Sequence, residues 1–162
     1  MSSVMMAGLY ALWLTAGALD FHFHRRTCIA QTSGLRESVL HGLQLGIIGG
    51  AALLWLTLAP TRGLAAALAL AAGLHALAGY MDTVSADGRR RISPAEQHVH
   101  SVLDVAPWLF VAWVAAGSQD AWGLTWQPAP LVIWLGVLAP AIVLAGLPWL
   151  AELRRCLQAA PN

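Results

Sequence analysis

The sequence predicts an all-α integral membrane bundle of five transmembrane helices, on three observations. Of the 162 residues, 58% are hydrophobic and only 10% are charged, whereas a water-soluble domain carries about 25% charge. Mean hydropathy is +0.63. The apolar residues also gather into five runs, each close to the roughly 20 residues that a helix needs to cross a hydrocarbon core. A chain this short and this apolar reads as a single transmembrane helical domain over residues 1–162. The net charge of +1 gives no argument for nucleic acid. Cys28 and Cys156 lack metal-type spacing and do not make a disulfide framework.

The runs are Val4–His24, Leu35–Leu58, Leu64–Asp82, Pro94–Ala116 and Pro130–Leu153. The first has no basic leader before it, so it reads as a retained helix rather than a cleaved signal. AQTSG precedes the second, APTRG the third, SADGRRRISP the fourth and GSQDAWGLTWQPAP the fifth. These are turn-forming segments. The second and third runs are rich in Ala and Gly, small residues that let membrane helices approach closely. Helix 4 opens on Ser93-Pro94-Ala95-Glu96, with Ser at the N-cap and Pro at the first helical position. Pro107 and Pro140 predict kinks within helices 4 and 5.

Topology follows from the arginines, the only basic residues besides His. Five spans put Arg25, Arg26, Arg36, Arg89, Arg90, Arg91, Arg154 and Arg155 on one side and Arg62 alone on the other. Positive loops stay cytoplasmic. The expected location is therefore a bacterial inner membrane, with the N-terminus outside and the C-terminus inside. Trp122 and Trp126 suit the opposite interface. Arg25, Arg26, Arg36, Arg89, Arg90 and Arg91 read as topology signals, with a subset able to grip an anionic lipid head group.

The ionisable residues inside the spans carry the functional signal. Helix 1 ends with Asp20 and His24, and helix 2 begins with Glu37 and His41. Helix 3 ends with His75 and Asp82, and helix 4 begins with Glu96, His100 and Asp104. Spacings of four and seven place residues on one helix face. Because alternate helices reverse direction, all four polar ends meet on the cytoplasmic side. A rise of about 1.5 Å per residue puts His24, Glu37, Asp82 and Glu96 at the rim. Asp20, His41 and His100 fall about one turn deeper, and His75 and Asp104 about two. Helix 5 contributes none of them and reads as a structural span.

Charge in lipid is costly, so intramembrane acids and histidines face each other or a cavity, and the default reading is functional. Imidazole with carboxylate suits Fe, Mn or Zn, and the lack of thiolates argues against a soft-metal site. The nine candidates exceed what one tetrahedral ion needs, so two metal ions are expected, iron first, with Zn or Mn as alternatives. His22 and His98 point off the stripe on an ideal helix and read as residues supporting the ligands or as interface residues. Tyr80 reads as a hydrogen-bond donor beside the site or as an interfacial anchor. Structural roles compete at the rim: Glu96 as a capping-box residue, Glu37 as a solvated first-turn acid, and Asp82 as a partner of Arg89–Arg91.

Acids and histidines projecting inward from four helices resemble the di-iron and di-manganese carboxylate bundles. The resemblance covers helices 1 to 4. The spacing differs: those bundles use Glu-x-x-His, whereas Glu37/His41 and Glu96/His100 are four apart. The dense HxxHH boxes of membrane desaturases are absent. The expected activity is a membrane-bound di-metal oxidoreductase of the oxygenase, hydroxylase or desaturase type. It would act on a lipid or other lipophilic substrate and take electrons from a separate donor. An intramembrane zinc hydrolase, with Asp104 or Glu96 as general base, is the alternative. A metal or proton carrier and a b-type cytochrome follow, and oligomeric state is left open.

Overall fold

The computed structural model describes residues 2–160. The described chain is helical. Helix α1 spans Ser3–Arg26, α2 Gly34–Thr57, α3 Arg62–Ala86 and α4 Pro94–Ala116. The fifth run divides into α5 (Leu131–Ala141) and α6 (Leu147–Ala159), joined by a π-helical turn over Ile142–Gly146. A short 3₁₀ turn, Ile29–Gln31, links α1 to α2. Five helical segments, counting Leu131–Ala159 as one, are long and apolar enough to cross a membrane.

The helix starts follow local chemistry. Ser2 caps α1 by accepting from the Met5 amide, and Thr61 caps α3 by accepting from the Leu64 amide. At α4 the full capping box forms: Ser93 Oγ accepts from the Glu96 amide, and a Glu96 carboxylate oxygen accepts from the Ser93 amide. Helix α3 outruns its expected ends by two residues at the start and four at the finish. Thr61 supplies an earlier cap than the apolar run suggested, and the polar Thr83–Ala86 stretch continues the helix.

Helix α2 packs mainly against α3, and α1 against α4, while α3 and α4 also meet. Helix α6 lies across α2 and touches α1. At one end of the bundle the 117–130 loop is tied to the α2–α3 turn. The Ala59 amide donates to Thr125 O, the Gln119 amide to Pro60 O and the Gln127 amide to Thr57 O. Leu64, Ala65, Leu68 and Val114 form a buried apolar cluster there, flanked by Trp55, Phe110 and Trp113. Trp122 and Trp126 are exposed at this end. The other end gathers the acids and histidines.

Helix 5 is not the plain span expected. Pro140 lies inside α5, and the π-helical turn follows it at once. A wide turn offsets the helix face that comes after it, and such turns recur at functional sites. No residue of α5 is buried, whereas Glu152 and Cys156, one turn apart on α6, are. Trp149 fastens α6 in place. Its indole N–H donates to Ser38 O at 2.9 Å, and its ring lies where a Cβ on Gly42 would stand. Only glycine allows that approach.

Candidate metal centre

The site grows from the lower halves of α1 and α2. On α1, Asp20 and His24 are one turn apart and both buried; on α2, Glu37 and His41 repeat the spacing and are also buried. Their imidazoles stack, with ring centroids 4.4 Å apart and an interplanar angle of 8°. Phe21 meets both rings edge-on. The histidines therefore have packed faces and fixed planes, which leaves their ring nitrogens to set the chemistry.

Glu152 fixes which nitrogen does what. His24 Nδ1–H donates to Glu152 Oε2 and His41 Nδ1–H donates to Glu152 Oε1, each at 2.8 Å. Glu152 is fully buried. One carboxylate thus binds two imidazoles on different helices and turns both Nε2 atoms toward the other acids. Carboxylates that accept from the remote nitrogen of a histidine are the usual orienting partners of metal-ligating imidazoles. Composition and spacing missed Glu152, because it stands alone in an apolar run near basic residues. The available signal was an acid inside the last helical run, in a chain with only eight acidic residues.

The outward-facing nitrogens meet carboxylates. His41 Nε2 lies 3.0 Å from Asp82 Oδ2, and His100 Nε2 lies 2.9 Å from Asp20 Oδ1. His24 Nε2 lies 3.4 Å from Asp20 Oδ1 and 3.9 Å from Glu37 Oε1. It is buried and, among the described residues, has no hydrogen-bond partner. With Nδ1 committed to Glu152, His24 turns Nε2 toward two acids. A buried polar atom left unpaired is costly, and a proton on Nε2 or a metal ion between that nitrogen and the acids would satisfy it. Asp82 Oδ1 is a second buried polar atom without a partner.

The spacings fit shared coordination. Two ligands of one metal at about 2.1 Å stand about 3.0 Å apart when perpendicular and about 3.4 Å apart when tetrahedral. Two sets of side chains have ligand atoms within 4.8 Å of one another: Asp20, His24, Glu96 and His100, and His24, Glu37 and His41. His24 is common to both. Asp82 joins through His41. His75 and Asp104 belong to neither set and line a cavity beside the cluster.

Arg90 departs from its expected role. The sequence suggests a topology signal or lipid head-group contact, yet its side chain is only 1% exposed. Its Nη2 donates to Glu37 Oε1 at 2.6 Å and its Nε to the same carboxylate at 3.0 Å, while Nη1 donates to Glu96. The turn explains the burial. Gly88 takes φ +70°, and Ala86 O accepts from the amides of Arg89 and Arg90, so the chain doubles back over α2 and α4. Burial alone would drain the guanidinium's proton affinity, but Glu37 and Glu96 outweigh it and hold the pKa above its ordinary value. Arg25, Arg26, Arg36, Arg89 and Arg91 are exposed.

The structural alternatives resolve at each rim acid. Glu96 closes the capping box and pairs with Arg90 together. Glu37 is fully buried rather than solvated. Asp82 pairs with His41, not with Arg89–Arg91. His22, His98 and Tyr80 do not support the cluster. All three are exposed, and His98 donates to Pro94 O on its own helix. Their spacing from the stripe turns them to the outer surface.

No family model, curated protein or solved structure matches this chain. The residues of the cluster therefore carry the functional argument alone.

Proposed function

We propose that this chain is a membrane-embedded di-metal oxidoreductase, with iron as the first candidate, acting on a lipophilic substrate. The single observation that carries the reading is His24 Nε2. It is a buried ring nitrogen without a hydrogen-bond partner among the described residues, turned toward Asp20 and Glu37 while Glu152 holds Nδ1. Asp20, His24, Glu37, His41, Asp82, Glu96 and His100 would hold the ions. Mixed imidazole and carboxylate ligation suits iron, and the metals would supply redox chemistry with O₂. Hydroxylation of a C–H bond consumes O₂, two electrons and two protons and releases water, so a separate electron donor is required.

The chain's own residues would do the rest. Glu152 orients the two histidines. Arg90 closes the mouth of the site and neutralises the outer acids. Phe21 and the stacked rings exclude water from between α1 and α2. The arginine bias supports insertion with the site in the cytoplasmic half of the membrane, where a soluble donor has access. A cavity of about 500 Å³ beside Asp20, His41, Asp82 and His100 has mostly apolar walls, which favours a lipophilic substrate.

A second reading has its own support. Arg90 already neutralises Glu37 and Glu96. The remaining donors then suit one ion, and a zinc hydrolase becomes the better description. Metal analysis of the purified full chain, with O₂ uptake by protein that has been reduced and freed of excess reductant, decides between them. About two irons per chain and O₂ uptake support the oxidoreductase. One zinc and no uptake support the hydrolase, and a protein free of transition metal contradicts both.

A further inference from the structure

The cavity beside the cluster continues away from it. A second cavity of about 530 Å³ shares Tyr10, Trp13, Ile48, Ala52 and Val137 with the first, so the two are compartments of one cleft. Along α1 the lining runs from Asp20 to Ser3, about 25 Å of helix at a rise of about 1.5 Å per residue. At the junction, Tyr10 Oη donates to Val137 O at 2.5 Å and Trp13 Nε1 donates to Leu103 O at 3.3 Å. These bonds fix two large rings where the two cavities meet. The far compartment is lined by aliphatic and aromatic residues almost throughout.

The near compartment has a polar collar between the cluster and this apolar stretch. Gln44 Oε1 and Asp104 Oδ1 converge on the bare side of Gly79, where a Cβ would come within 3.5 and 3.2 Å of them. His75, one turn away on α3, is 95% buried, and its Nδ1 has no hydrogen-bond partner. These three line the first cavity together with Asp20 and Asp82. The collar thus offers two oxygen acceptors and one unpaired imidazole, with Asp20, His41, Asp82 and His100 on the cluster side of the same cavity. The buried guanidinium nearest the cluster, Arg90, is committed to Glu37 and Glu96. At the collar itself a carboxylate head group would bring no proton to Gln44 Oε1 or Asp104 Oδ1 and would meet the charge of Asp104 directly. A hydroxyl satisfies the collar, donating to a carboxylate or amide oxygen and pairing with the imidazole.

We propose that the cleft binds a single-chain lipophile bearing a hydroxyl group, its head held by Gln44, His75 and Asp104 and its chain extended past Ala52 toward Ser3. This deepens the oxidoreductase reading, on which it rests, by naming the substrate class. It also places the hydroxyl-bearing end of the chain, rather than its far end, next to Asp20 and His100.

The test uses the full chain in nanodiscs, with labelled hexadecan-1-ol, octan-1-ol and hexadecanoate, empty nanodiscs as the blank, and metal content measured on the same samples. Hexadecan-1-ol is expected to bind saturably at one per chain, about ten-fold or more tighter than hexadecanoate. Ala52→Trp, which fills the junction, should weaken hexadecan-1-ol and spare octan-1-ol. Asp104→Asn should narrow the preference for alcohol over acid. Binding no greater than the blank, equal binding of the acid, or an Ala52→Trp variant that binds both alcohols like the parent would overturn the inference. Metal retained in those failing samples leaves the di-metal reading standing, whereas protein that binds alcohol but holds no metal sinks that reading and spares this one.

Discussion

Glu152 and His24 are 128 residues apart in sequence and 2.8 Å apart in space. The same carboxylate reaches His41 at the same distance, so one acid from the last helix sets the orientation of two histidines from the first two. Its removal should loosen the metal rather than the fold. Glu152→Gln replaces one of the two accepting oxygens with an NH₂ that cannot accept from an Nδ1–H. Loss of such an orienting partner costs about 10–100-fold in metal affinity. Competition titration with a chelator measures it, and unchanged affinity would show that Glu152 is only a packing residue.

Arg90 leads to a prediction about stability. It is buried between Glu37 and Glu96, and breaking a buried pair leaves an uncompensated charge at a cost of about 3–5 kcal/mol. Arg90→Ala should lower the stability of the metal-free protein by about that amount, read by thermal unfolding in detergent. Arg89→Ala and Arg91→Ala, at exposed neighbours, should change it little. Added metal should restore part of the loss in Arg90→Ala, because a cation replaces the missing guanidinium.

The histidines separate by their surroundings. His24→Ala should reduce bound metal to one ion or none per chain, since His24 belongs to both ligand sets. His22→Ala and His98→Ala, at exposed positions, should keep the full complement. Elemental analysis of the three variants checks this, and equal losses in all three would mean that metal binds outside the cluster.

Much of this arrangement is legible in the sequence, for a physical reason. Helix period and the cost of charge in lipid together specify that Asp20, His24, Glu37, His41, Asp82, Glu96 and His100 share one end of the bundle. What is not legible depends on backbone irregularity. Glu152 reaches the site from a helix that follows a wide turn after Pro140 and that seats Trp149 in the space left by Gly42. Neither event has a periodic signature. Arg90 resembles Arg89 and Arg91 in sequence, and the left-handed turn at Gly88 selects which of the three points inward.

That docking is itself testable. Gly42→Leu places a side chain where the Trp149 ring lies. Overpacking of this kind costs about 1–3 kcal/mol. Displacing α6 also withdraws Glu152, so metal affinity should fall together with stability. Retained affinity at reduced stability would uncouple the two.

Orientation can be read from the free cysteines. Cys28 is exposed at the site end, and Cys156 is buried. A membrane-impermeant thiol reagent should label Cys28 in inside-out vesicles and not in intact cells, while Cys156 should react only after denaturation. Labelling of Cys28 in intact cells would place the site end outside.

The most direct test of the metal centre is anomalous diffraction at the iron edge from crystals of the iron-loaded chain. Two anomalous peaks are expected among Asp20, His24, Glu37, His41, Glu96 and His100, one of them about 2.1 Å from His24 Nε2. Fully loaded crystals with no peak within reach of that nitrogen would contradict the account.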